Sequence, residues 1–159
     1  MDILKFLFVI SPVNHKPGEE LNPGDFLQID RVSRLIRDEL TENGLETDPV
    51  VFSAPGNCSS ATADRIAGNL GTAFEADERL TSDETHGPFP KDCDQVIKLV
   101  EDYKGHSAII LVTHIGGAVG ISDTAACFIP EYFERKLGVR VQMTQIFDGG
   151  FHFQCKSTL

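Results

Sequence analysis

The chain has 159 residues, with 24 Asp and Glu against 14 Lys and Arg, a formal net charge of −10 and a pI near 4.8. That length suits one domain, residues 1–159, with a sizeable core, and 41% hydrophobic with 24% charged residues is the make-up of a soluble globular protein. The acidity excludes a general nucleic-acid or anionic-membrane binder, because most of the surface repels phosphate.

Leu4 to Ile10, broken only by Lys5, is rich in strand formers and predicts a buried first strand ending at Ser11-Pro12. It is far too short to span a bilayer, and it lacks the small-residue cleavage site of a secretory signal. The stretch through Pro23-Gly24 holds two prolines, two glycines and Asn14, which predicts a long irregular loop carrying His15. Val32, Leu35, Ile36 and Leu40 recur at helical spacing, with Arg31, Arg34, Arg37 and Asp38 on the other face and Asn43-Gly44 as the stop.

Pro49 to Phe52 reads as a short second strand ending at Ser53. A turn at Ala54-Pro55-Gly56-Asn57 leads to a helix over Ser59–Leu70, with Ile66, Ala67 and Leu70 on its apolar face. Glu75 to Pro90 is polar and reads as loop. Lys91 to Tyr103 predicts a third helix through Val96, Ile97, Leu99 and Val100, and Ala108 to Thr113 is the plainest strand in the chain. Helices around Ala118–Cys127 and Pro130–Leu137 follow, then a strand over Val139–Phe147. Asp148-Gly149-Gly150 marks a turn into a second strand, Phe151–Cys155, and so a C-terminal hairpin. Strand and helix alternate throughout, which predicts an α/β fold: a three-layer α/β/α sandwich with a mostly parallel, mixed sheet.

Cys58, Cys93, Cys127 and Cys155 are scattered with no Cys-x-x-Cys pair, so neither a disulfide framework nor a cysteine zinc site is expected. Reduced thiols and a cytoplasmic location follow as the expectation. No His-x-x-x-His, His-x-His or Asp-x-Asp pattern is present, and no metal or cofactor is expected.

In open α/β sheets, ligands bind beyond the carboxyl ends of the strands. Three such ends are visible: Ser11 to His15, Ser53 to Ser60, and Thr113 to Gly117. Ser59, Ser60 and Gly116 at these junctions are either caps and turn residues or part of an anion site at a helix N-terminus. His114 directly follows a buried strand, which makes it a candidate catalytic group as well as a candidate structural one.

The order of these junctions resembles the histidine phosphatase (phosphoglycerate mutase-like) superfamily, in particular its small phosphohistidine-phosphatase branch. Leu21-Asn22-Pro23-Gly24 is loosely similar to the family's Leu-Thr-x-x-Gly segment. Val50 to Ala63 matches the length of the family's second junction, with Ser53, Pro55, Thr62 and Ala63 in place, and Val112-Thr113-His114-Ile115-Gly116-Gly117 matches its Val-Ser-His-Gly-Gly junction. The similarity runs in order over essentially the whole chain, through motifs that are weak singly and moderately specific together.

The resemblance implies that the first strand should end in Arg-His-Gly, the histidine being the nucleophile. Here Ile10-Ser11-Pro12 stands instead, and the second phosphate-binding arginine falls on Cys58. His114 keeps the position of the second histidine, and Glu84 lies where some members place their acid, with Asp83 and Glu78 as competitors. The expected crevice is lined by Ser11, Asn14, His15, Ser53, Cys58 and Thr113, with His114 and Glu84 as the catalytic candidates. Positioned phosphate donors are each worth ~10²–10³ in rate, so loss of the nucleophile and both arginines implies a protein inactive in the family's chemistry. Three alternatives stay open at this point: a module binding a partner or a small, phosphorylated or other, ligand; an active phosphoesterase with groups relocated around His114; or a different α/β fold whose junctions mimic those of the family. For the second, His15 is one substitute nucleophile. Cys58 is another, although Arg65 gives Cys-x₆-Arg spacing and would point away from the turn.

Overall fold

A computed structural model describes residues 4–12, 21–45, 49–80, 93–113, 134–147 and 150–156. Its elements are β1 (Phe6–Ser11), α1 (Pro23–Glu42), β2 (Pro49–Ser53), α2 (Asn57–Leu70), β3 (Phe74–Ala76), a 3₁₀ turn (Glu78–Leu80), α3 (Cys93–Asp102), β4 (Ala108–Val112), β5 (Arg140–Phe147) and β6 (Gly150–Lys156). Residues 134–137 are also helical. The sequence-predicted helix around 118–127, the start of the Pro130 helix and the 148–149 turn lie outside the described residues.

The six strands form one sheet in the order β3-β2-β4-β1-β5-β6. The first five are parallel, and β6 runs antiparallel to β5 with Phe147 opposite Gly150, closing the expected hairpin. The order fixes the layers. The chain moves in one direction across the sheet from β1 to β2 to β3, so right-handed crossovers put α1 and α2 on the same face. It then reverses from β3 to β4, which puts α3 on the opposite face. The α/β sandwich predicted from alternation is therefore the observed architecture.

Side chains alternate along the central strands and divide the core in two. Phe6, Phe8 and Ile10 of β1, with Ile110 and Val112 of β4, pack under Ile29, Val32 and Ile36 of α1 and Ile66 of α2. Leu7, Val9, Ile109 and Leu111 face α3, meeting Val96, Leu99 and Val100. Because both faces are covered, β1 and β4 read as continuous apolar runs.

The structure corrects the sequence reading at several places. Helix α1 begins at Pro23, inside the stretch read as loop. The Asn22 side chain accepts the Asp25 N–H at 2.9 Å, and the Asp25 carboxylate accepts the Asn22 N–H at 2.9 Å. This is a capping box with proline in the first turn, where its missing N–H costs nothing, so the apparent breaker is a starter. Leu35, counted on the apolar face, is 39% exposed, because the buried stripe is carried by Ile29, Val32, Ile36 and Leu40. Within the polar stretch after Glu75, β3 pairs with β2 at the sheet edge, and the 3₁₀ turn buries Leu80 completely. An edge strand of three residues with one open face has little apolar pattern to read. Among the described residues no helix is long and apolar enough to cross a membrane.

Candidate functional site

The carboxyl ends of β2, β4 and β1 lie side by side, with β4 in the middle. Val112 is in register with Ser53 on one side and Ile10 on the other. Two hydrogen bonds past the strand ends hold them together: Ala54 N–H to the Val112 carbonyl at 2.8 Å, and Thr113 N–H to the Ile10 carbonyl at 3.0 Å. The chain leaves β1 toward β2 and leaves β4 toward β5, so the two connections run in opposite directions across the sheet and pass each other at the boundary between β4 and β1. In this class of sheet ligands usually bind beyond the carboxyl ends of the strands.

The side chains at these ends are buried hydroxyls. Ser11, Ser53 and Thr113 are all buried, and Thr144, beside Ile10 on β5, joins them. The Thr113 hydroxyl donates to the Leu80 carbonyl at 2.8 Å, pinning the 3₁₀ turn to the end of β4. The Ser53 and Ser60 hydroxyl oxygens stand 3.5 Å apart, at the outer limit of a hydrogen bond between β2 and α2. Ser59 and Ser60 are not the cap of α2: the helix starts two residues earlier, behind Gly56, whose φ of 143° and ψ of 152° belong to a region essentially restricted to glycine. Cys58 is a free thiol in the first turn, half-buried. Thr62 Oγ1, one turn further along α2, is buried with no hydrogen-bond partner, as is Gln28 Oε1 on α1.

Among the described residues, two of the arginines that follow these strand ends are held in ion pairs. Arg65, the nearest arginine downstream of Cys58, donates from Nε and Nη2 to the two carboxylate oxygens of Asp30 on α1, at 2.8 and 2.9 Å. Its guanidinium also lies over the Phe26 ring, 4.9 Å from the centroid. The hydrogen bond from Arg65 holds the Asp30 carboxyl well below its ordinary range, at about 2. Arg79 is engaged at both ends of its fork, by Asp77 at 2.9 Å and Asp102 at 3.0 Å. That bonding, to Asp77 first and Asp102 second, raises the Arg79 pKa, and the Arg79 hydrogen bond lowers that of Asp77. Arg31, Arg34 and Arg37 stand on the exposed face of α1, as their spacing predicts.

Of the residues singled out from the sequence, Ser11, Ser53 and Thr113 are thus brought to adjacent strand ends, and Cys58 lies in the first turn of the helix after β2. His114, Glu84, Asn14 and His15, with the competing Asp83, lie outside the described residues; Glu78 opens the 3₁₀ turn. Thr144 and the Asp77–Arg79–Asp102 network went unread. The Asp-x-Arg spacing at 77–79 is the signal for the network, whereas Thr144 becomes part of the group only through the register of β5 on β1. Among the described residues no group of His, Cys, Asp and Glu is placed to hold a metal ion. The sequence matches no protein-family model, and no curated protein matches it.

Proposed function

We propose that the chain is a divergent member of the histidine phosphatase (phosphoglycerate mutase-like) superfamily, inactive in the family's phosphohistidine chemistry, whose strand-end crevice binds a ligand or partner. The observation that carries this reading is the end of β1. Where the resemblance requires an arginine and a nucleophilic histidine, Ser11 and Pro12 stand, both buried, next to the end of β4, with β2 on its far side. The second missing arginine is not replaced from downstream, because Arg65 is committed to Asp30.

A phosphoryl group concentrates negative charge, and its transfer depends on cations and donors already in place. Buried hydroxyls supply hydrogen bonds without charge. They suit a neutral or weakly charged polar ligand better than a phosphate, and the acidic balance of the chain favours the same choice. Scattered cysteines without close pairs suit a reducing compartment, so we place the protein in the cytoplasm, with neither nucleic acid nor membrane as partner.

The test is turnover of a generic aryl phosphate by the wild-type chain and by His114→Ala and His15→Ala. The expected result is no turnover by any of the three. Wild-type turnover that either substitution abolishes would overturn the reading in favour of an enzyme with relocated groups.

A further inference from the structure

A groove of about 370 Å³ opens at the opposite end of the sheet, lined by Leu4, Lys5, Phe6, Asn43, Leu45, Gly138 and Arg140. It lies between the C-terminal turn of α1 and the amino ends of β1 and β5, where Phe6 is in register with Arg140. We propose that this groove is a binding site for a small organic anion with an apolar body, of the class of an aryl carboxylate.

The charge is the first observation. Acidic residues outnumber basic ones by 24 to 14 in this chain. Arg65 and Arg79 are accordingly claimed by carboxylates. Lys5 and Arg140 both line this groove, and neither is in an ion pair with any described residue. Arg140 instead lays its guanidinium over the Phe6 ring, 5.3 Å from the centroid, which fixes the plane of its donor fork. The C-terminal end of α1 opposes an anion with roughly half a negative charge. Glu42, in the same turn, adds to it but is not among the lining residues, whereas Lys5 and Arg140 line the groove directly, and the N–H groups of Asn43, Gly44 and Leu45 already turn back onto the carbonyls of Leu40 and Thr41.

The floor is the second observation. Leu45 is half-buried and leaves apolar surface beside the cations, and the buried Leu4 and Phe6 close the groove beneath it. A bare phosphate would lose hydration against that floor without gaining contacts. A carboxylate on a ring satisfies both parts: the planar fork of Arg140 accommodates two carboxylate oxygens, Lys5 adds charge, and the ring covers the apolar floor. The volume is that of a small-ligand pocket. This site is independent of the strand-end crevice, so its failure leaves the phosphatase reading untouched.

The probe is benzoate, titrated into the isotopically labelled full chain and followed by amide chemical shifts. Saturable shifts are expected at Lys5, Phe6, Leu45 and Arg140 and not at Ser11, Ser53 or Thr113, with benzyl alcohol giving none. Arg140→Gln is expected to weaken benzoate about tenfold, the loss of one charge-assisted contact, while the rest of its spectrum shows the fold retained. No saturable shift up to about ten millimolar benzoate, an equal response to benzyl alcohol, or unchanged affinity in Arg140→Gln would each overturn the proposal.

Discussion

The backbone N–H of Thr113 donates to the carbonyl of Ile10 at 3.0 Å, one step beyond the last paired residues of β4 and β1. This bond joins β4 to β1 just past their last paired residues, where the connections onward to β5 and β2 pass each other. The neighbouring ends of β1, β2 and β4 carry the buried hydroxyls of Ser11, Ser53 and Thr113, and Arg65 and Arg79 are held in ion pairs elsewhere.

The Thr113 hydroxyl ties the end of β4 to the turn after β3 through the Leu80 carbonyl. Thr113→Val keeps the shape and leaves that carbonyl without its donor. A loss of about 1–3 kcal/mol in urea unfolding is expected, with Thr113→Ser recovering most of it.

Asn22→Ala removes the side-chain half of the capping box at the start of α1. The expected loss is about 0.5–2 kcal/mol in the same measurement. An unchanged midpoint would mean that α1 does not depend on this cap.

Phe8 lies at the centre of β1 and is 1% exposed. Phe8→Ala opens a cavity between the sheet and α1 and is expected to cost about 3–5 kcal/mol, a large part of the stability of a domain this size.

Asp30 titrates at about 2 in the folded chain against an ordinary value of 3.8, chiefly through its hydrogen bond from Arg65. A carboxyl depressed by folding stabilises above its unfolded pKa, and the contribution disappears as pH falls through the folded one. The melting temperature of Asp30→Asn is therefore expected to lie modestly below wild type at neutral pH, because both partners are part-exposed and screened. The gap is expected to narrow as pH falls from 3.8 toward 2. A gap that is constant across that window would contradict the pairing.

The fold was legible because its strongest signals are local. The apolar runs at Phe6–Ile10 and Ala108–Val112 announce strands covered on both faces, and the spacing of Val32, Ile36 and Leu40 announces a helix on one of them. Pro23 was misread because proline and glycine together resemble a break, while the reciprocal bonds of Asn22 and Asp25 make them a beginning. β3 was hidden because its partner, β2, lies more than twenty residues away in sequence. At the site, Ser11, Ser53 and Thr113 were legible from strand endings alone. That they stand in a row required the strand order, which places β4 between β2 and β1, and no residue pattern encodes that order directly.

The most direct test of the central claim is whether the protein becomes phosphorylated. Wild-type chain is incubated with excess aryl phosphate, quenched at alkaline pH, where phosphohistidine survives, and weighed intact by mass spectrometry. The expected result is an unmodified mass at every time point. Addition of one phosphoryl group, mapped to His15 or His114 and lost on substitution of that residue by alanine, would contradict the proposal that the chain is inactive in phosphohistidine chemistry.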